Sequence, residues 1–104
     1  MPSKDTTQVV CVAEFFAKEG KTEELIDALY GLIKPTQAEA GYIRYELNQR
    51  VDEPKGITFI EKWKDKKAFD EHCATPYIAD FFNNVRPGLV ERFEVKLYEE
   101  IRPW

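Results

Sequence analysis

A single histidine and two cysteines, in a chain of 104 residues, leave little from which to build a metal centre. Cys11 and Cys73 stand far apart, with neither a CxxC pair nor the spacing of a disulfide framework, so neither a zinc or iron site nor a redox pair is expected. No GxGxxG follows a strand pattern, and neither a phosphate-binding P-loop nor a GxSxG nucleophile elbow occurs. Positive charge is also scarce: 15 Lys and Arg against 19 Asp and Glu give a formal charge of −4. That balance opposes binding to nucleic acid or to an anionic membrane surface. No apolar run reaches transmembrane length, and the polar start Met1-Pro2-Ser3-Lys4 has no apolar signal core. These absences lead us to expect one cytoplasmic domain over residues 1–104, whose chemistry uses ordinary side chains.

What is present is periodic. Gln8 to Ala17 reads as a strand, apolar on both faces. Thr22 is the expected N-cap of a helix carrying Leu25, Ile26, Leu29, Leu32 and Ile33 at helical spacing, with Pro35 bending or ending it. Tyr42 to Arg50 is a second strand, with Ile43, Tyr45 and Leu47 on one side and Tyr42, Arg44, Glu46 and Asn48 on the other. A turn at Asp52 to Gly56 leads into a third strand, Ile57 to Trp63, and a short helix, Lys67 to Cys73. Thr75-Pro76 starts another helix, with Ile78, Phe81, Phe82 and Val85 as its stripe, interrupted at Pro87-Gly88. Glu91 to Ile101 is the last strand. This order predicts an α+β, ferredoxin-like split βαβ fold, an antiparallel sheet with helices on one face. The other face, carrying Val10, Val12, Phe16, Tyr42 and Tyr98 among charged residues, predicts a sheet-to-sheet homodimer. Trp104 is expected to dock on its own domain or on the partner subunit.

The third strand and its helix hold the candidate site. Ile57, Phe59, Glu61 and Trp63 share one strand face, and a carboxyl between two aromatic groups is out of place there. Ala68, Phe69, His72 and Cys73 form one helical stripe. A helix histidine is often only a half-exposed surface group, Glu61 a strand-edge carboxylate paired with a lysine, and Trp63 plain core. If the helix folds over its strand, however, His72 is placed to act as a general base. A Glu61–His72 hydrogen bond would orient the imidazole. Trp63 N–H would then be able to bind a developing oxyanion. Tyr45, Phe59, Phe69, Phe81 and Phe82 are the expected pocket wall, suited to a flat aromatic substrate. Cys11 and Cys73 are read as small fillers.

Three segments resemble the antibiotic biosynthesis monooxygenase (ABM) domain family. They are Ala17-Lys18-Glu19-Gly20-Lys21-Thr22-Glu23-Glu24-Leu25, Glu39-Ala40-Gly41-Tyr42-Ile43-Arg44-Tyr45-Glu46, and Glu61-Lys62-Trp63 with Ala68-Phe69 and His72. The resemblance covers nearly the whole chain, in order. It implies dimers whose sheets pack face to face, and oxidation of quinols or polycyclic phenols by O2 without flavin, haem or metal. Other members of the family isomerise a phosphorylated autoinducer derivative or degrade haem. The haem branch uses an Asn on the first strand, and Val9-Val10-Cys11-Val12-Ala13-Glu14 has none. A phosphorylated substrate needs Arg or Lys at the pocket mouth, whereas Lys62 alternates away from Glu61, and Arg44 and Arg50 lie opposite Tyr45. Three readings follow: a cofactor-independent monooxygenase, an isomerase, or a dimeric small-molecule-binding or stress protein without chemistry.

Overall fold

A computed structural model describes residues 7–101. Trp104, and with it the question of where it docks, lies outside the described residues. The described residues include four strands: β1 Val9–Ala17, β2 Tyr42–Gln49, β3 Gly56–Trp63 and β4 Val90–Glu99. They form one sheet in the order β2-β3-β1-β4, every neighbouring pair antiparallel. Helices α1 Thr22–Tyr30 and α2 Ile33–Gln37 join β1 to β2. Between β3 and β4 run α3 Lys66–Cys73, α4 Pro76–Asp80, a π-helical turn at Phe81–Val85 and α5 Arg86–Leu89. This is the ferredoxin-like split βαβ arrangement, as expected. Among the described residues no helix is long and apolar enough to cross a membrane.

Alternation along the strands places the core. Cys11, Ala13 and Phe15 of β1 pair with Glu61, Phe59 and Ile57 of β3, and with Leu97, Val95 and Phe93 of β4. Directly paired residues share a face, so all nine side chains lie on the helix side. There Leu25 and Leu29 of α1, Ala68 and Phe69 of α3, Ile78 of α4 and Phe81 close over β1, β3 and β2. Edge strand β4 is left outside this cover: Phe93, Val95 and Leu97 remain 42–44% exposed despite their inward register.

Local chemistry sets the element ends. Asp65, in extended backbone, accepts a hydrogen bond at 2.8 Å from Ala68 N–H and so caps α3. Thr22 is the first residue of α1 rather than its cap; Lys21 holds the cap position and makes no side-chain cap bond. Gly41 is needed for close approach, because a Cβ there would lie 2.2 Å from Ala68 Cβ. Its carbonyl accepts from Lys64 N–H at 3.0 Å, which ties the start of β2 to the entry of α3.

One expected face is corrected. The pairing of β2 with β3 shifts register between Tyr42 and Arg44, so Tyr42 sits opposite Trp63 and packs against the core, while Ile43 is exposed. The irregularity adds a residue to β2 and reverses the alternation before it. The open sheet face is therefore built around Val10, Val12, Ile60 and Tyr98, without Tyr42.

Candidate functional site

The site lies where α3 crosses β3 and β2. Lys66–Cys73 is just over two turns long, and its buried residues are Ala68, Phe69 and His72, spaced so that they face the sheet. His72 is 3% exposed. Its ring lies over the indole of Trp63, with centroids 4.4 Å apart, and edge-on to Tyr45 at 5.3 Å. At the end of the helix, Thr75 Oγ1 donates to the His72 carbonyl at 2.8 Å and fixes the turn that carries the imidazole.

No direct hydrogen bond joins Glu61 to His72. His72 Nδ1 is bonded instead to Glu39 Oε2, at 2.9 Å. Glu39 lies in the connection between α2 and Gly41, and it also accepts from the Tyr77 hydroxyl. A carboxylate only accepts, so Nδ1 carries the proton and Nε2 the lone pair. Burial pulls the His72 pKa below its usual value, and the Glu39 carboxylate opposes that pull. At neutral pH the ring is therefore an uncharged base, held in one orientation by an anion that favours the imidazolium formed when it takes a proton.

Glu61 is held by a different partner. Its direct cross-strand neighbours are Cys11 on β1 and Tyr45 on β2. The Trp63 indole N–H donates to Glu61 Oε1 at 3.0 Å. The indole thus engages both expected partners, with its N–H on Glu61 and its face against His72, and Glu61 and Trp63 meet because they are alternate residues on one strand face. That N–H is consequently occupied in this state. Glu61 is 4% exposed. Desolvation, with the negative charge of Glu39 adding to it, outweighs the bonds from Trp63 and Cys11 and pushes its pKa up to about 7.

These groups border a cavity of about 70 Å³ between sheet and helices. Its wall includes Tyr45, Phe59, Phe69, Phe81 and Phe82, all five of the aromatic residues expected there, together with Glu61 and His72. Tyr45 stacks on Phe59 at 4.1 Å. Trp63 stands behind the wall, and Val95 of β4 lines the open side. Both cysteines border the cavity, although Cys73 is exposed rather than buried as its stripe position suggested. Burial pushes both thiols up, Cys73 to about 11, so neither is an ionised nucleophile at neutral pH. Among the described residues no lysine or arginine lines the cavity. Lys62 pairs with Glu100, Arg44 with Glu46, and Arg50 with Asp52 and Glu53. Among the described residues no cluster of three or more His, Cys, Asp or Glu is placed to hold a metal ion.

The sequence reading missed Glu39 and Tyr77. Glu39 lies between elements, where periodicity carries no information. Tyr77 follows Pro76 on α4, outside the apolar stripe. The acidic residue just ahead of Gly41 was the available signal, because Gly41 brings that connection against α3.

The chain as a whole is similar to several known proteins. A structure from Shewanella oneidensis, protein SO0527, superposes with a TM-score of 0.90 at 56% identity, covering 91% of this chain and 92% of that one. PA3566 from Pseudomonas aeruginosa does so with a TM-score of 0.86 at 25% identity, covering 96% of this chain and 100% of that one. YcnE of Bacillus subtilis, named as a candidate monooxygenase, is 32% identical over 73 residues, which are 70% of this chain and 77% of that protein. The uncharacterised Synechocystis protein sll1783 is 30% identical over 91 residues, which are 88% of this chain but 62% of that longer protein. The family model described as antibiotic biosynthesis monooxygenase matches residues 8–84, a span that includes β1 to β3, α3 and every polar group of the site. This chain belongs to the antibiotic biosynthesis monooxygenase (ABM) family.

Proposed function

We propose that the chain is a cofactor-independent monooxygenase that oxidises a quinol with O2, using His72 as the base. The observation that carries this reading is the His72–Glu39 pair: a buried imidazole that borders an aromatic cavity and has a carboxylate on Nδ1. Family membership and the naming of YcnE support monooxygenase-like activity. The cavity is smaller than the roughly 150 Å³ that admits benzene in an engineered core. A ring therefore has to use the open side at Val95, and a single-ring quinol suits this space better than a polycyclic phenol.

In this scheme His72 Nε2 removes a quinol O–H proton, and Glu39 holds the resulting imidazolium. The quinolate passes one electron to O2, and the semiquinone and superoxide recombine at a ring carbon. The imidazolium protonates the peroxide. Loss of water, which takes the hydrogen of that carbon and the outer oxygen, leaves a carbonyl. Quinol plus O2 thus gives hydroxyquinone plus water. An apolar, aromatic cavity favours the delocalised anion over a localised charge.

Among the described residues the cavity wall carries no cation, which weighs against the isomerase reading, since a phosphoryl group requires one. We further propose a homodimer through the open sheet face, where Tyr98 is 49% exposed. The test is oxygen uptake by metal-stripped, flavin-free protein across a panel of small quinols, wild type against His72→Ala. Uptake that falls about 100-fold or more in the variant is expected. No uptake with any quinol, or equal rates in both proteins, would refute the reading.

A further inference from the structure

The scheme above employs His72 and leaves a second buried titratable group without a task. Glu61 is too well enclosed to be incidental. Cys11 faces it from β1, Tyr45 from β2, and Trp63 from its own strand; Cys73 and His72 border the same cavity from α3. Tyr45 and Cys11 are neutral groups, their ionisation pushed up by burial. Among the described residues, the charge that acts on Glu61 from outside this ring is the carboxylate of Glu39, which repels a second negative charge. Among the described residues no cation lines the cavity to stabilise an anion there. A carboxylate without a counter-ion in such surroundings is costly, and the group holds its proton up to about pH 7. With the indole N–H on Oε1, the proton belongs on Oε2. A carboxyl bordering an apolar cavity in that state is a hydrogen-bond donor.

We propose that Glu61 is a ligand-binding residue that donates its carboxyl O–H to a carbonyl oxygen, so that the cavity selects uncharged aromatic ligands bearing a carbonyl or quinone oxygen. The inference rests on the proposed aromatic-ligand site and extends it by dividing the labour. His72, with Glu39, takes the proton at one oxygen of the ring. Glu61 holds the oxygen that is, or becomes, a carbonyl, and withholds binding from carboxylates and phosphates. The two acids thus have different tasks: Glu39 accepts from His72 Nδ1 and the Tyr77 hydroxyl, and Glu61, which borders the cavity, donates.

The test is calorimetric binding of acetophenone and of ethylbenzene, which have one ring each and no titratable group, with benzoate as the anionic control. At about pH 5.5, below the range in which Glu61 ionises, acetophenone should bind about tenfold more tightly than ethylbenzene, the yield of one buried hydrogen bond. The preference should vanish at about pH 8.5 in the wild type. It should persist at both pH values in Glu61→Gln, whose amide N–H remains a donor, and be lost at both in Glu61→Leu. Benzoate should bind more weakly than either. Equal binding of ketone and hydrocarbon by the wild type at the lower pH overturns the proposal while leaving the aromatic site intact. So does a preference that is unchanged by pH. Binding of neither compound removes the aromatic site and this inference together. Should Glu61→Leu fail to fold, the glutamine variant and the two pH values decide alone.

Discussion

Glu39→Gln removes one negative charge from the site and keeps the shape of the side chain. In the native protein two influences act on His72: burial, which lowers its pKa, and the Glu39 carboxylate 2.9 Å from Nδ1, which raises it. Burial wins, so the ring titrates below the ordinary value of 6.5. With a neutral amide in place of the carboxylate, burial acts alone and the pKa should fall further. A hydrogen bond to a charged group contributes about 1.5–3 kcal/mol. That support is needed chiefly when the imidazolium forms, so kcat/KM for quinol oxidation should fall about 10- to 100-fold. The acid limb of the rate profile should move to lower pH, because the weaker base stays unprotonated further down. His72 is the only histidine in the chain, so one imidazole proton resonance reports the titration without any substrate. A His72 pKa that is unchanged or raised in Glu39→Gln would refute this account of the pair. So would a rate within about twofold of wild type.

Further outcomes follow from the same geometry. Glu61 titrates near 4.5 when unfolded and near 7 when folded, so the native state holds the extra proton between those values. Its contribution is fully present below pH 4.5 and is lost as pH rises through about 7; at 1.36 kcal/mol per unit it amounts to about 3 kcal/mol. Urea unfolding should show that loss on the alkaline side in the wild type and not in Glu61→Gln; the opposite contribution of His72, lost as pH falls below 6.5, should remain in both. Gly41→Ala places a methyl group 2.2 Å from Ala68 Cβ, forces β2 and α3 apart, and should cost about 1–3 kcal/mol, read as a lower Tm in calorimetry. Light scattering at micromolar concentration should give a dimer mass, since the proposed sheet-to-sheet contact buries about 2,000 Å² or more, and charged residues at Val12 and Ile60 should give a monomer.

The parts that were legible in the sequence are those governed by periodicity. Alternation along Ile57 to Trp63 and the helical stripe Ala68, Phe69, His72 placed Glu61 and His72 on the two walls of one cavity, and the five aromatic residues around it were identified by the same means. The antiparallel sheet with helices on one face followed from the order of the elements along the chain. What was missed depends on single residues outside any repeat. The register shift at Ile43 has no composition signal, and it moved Tyr42 from the open face to the core. The pairing of His72 with Glu39 joins a helix to a connecting segment 33 residues away, a contact set by the close approach at Gly41. The bond from Trp63 to Glu61 is local, but its consequence is not: with the indole engaged, Glu61 faces the cavity as a separate group instead of serving His72. The exposed row on β4 has the alternation of a buried strand and lacks only a helix above it.

The most direct test of the central claim is the fate of isotopically labelled oxygen. Metal-stripped, flavin-free protein is supplied with a single-ring quinol under 18O2, and the product is weighed by mass spectrometry. The account predicts one labelled oxygen in a hydroxyquinone and the other in water, at a rate that depends on His72. A product without label, or labelling that proceeds equally with His72→Ala, would contradict it.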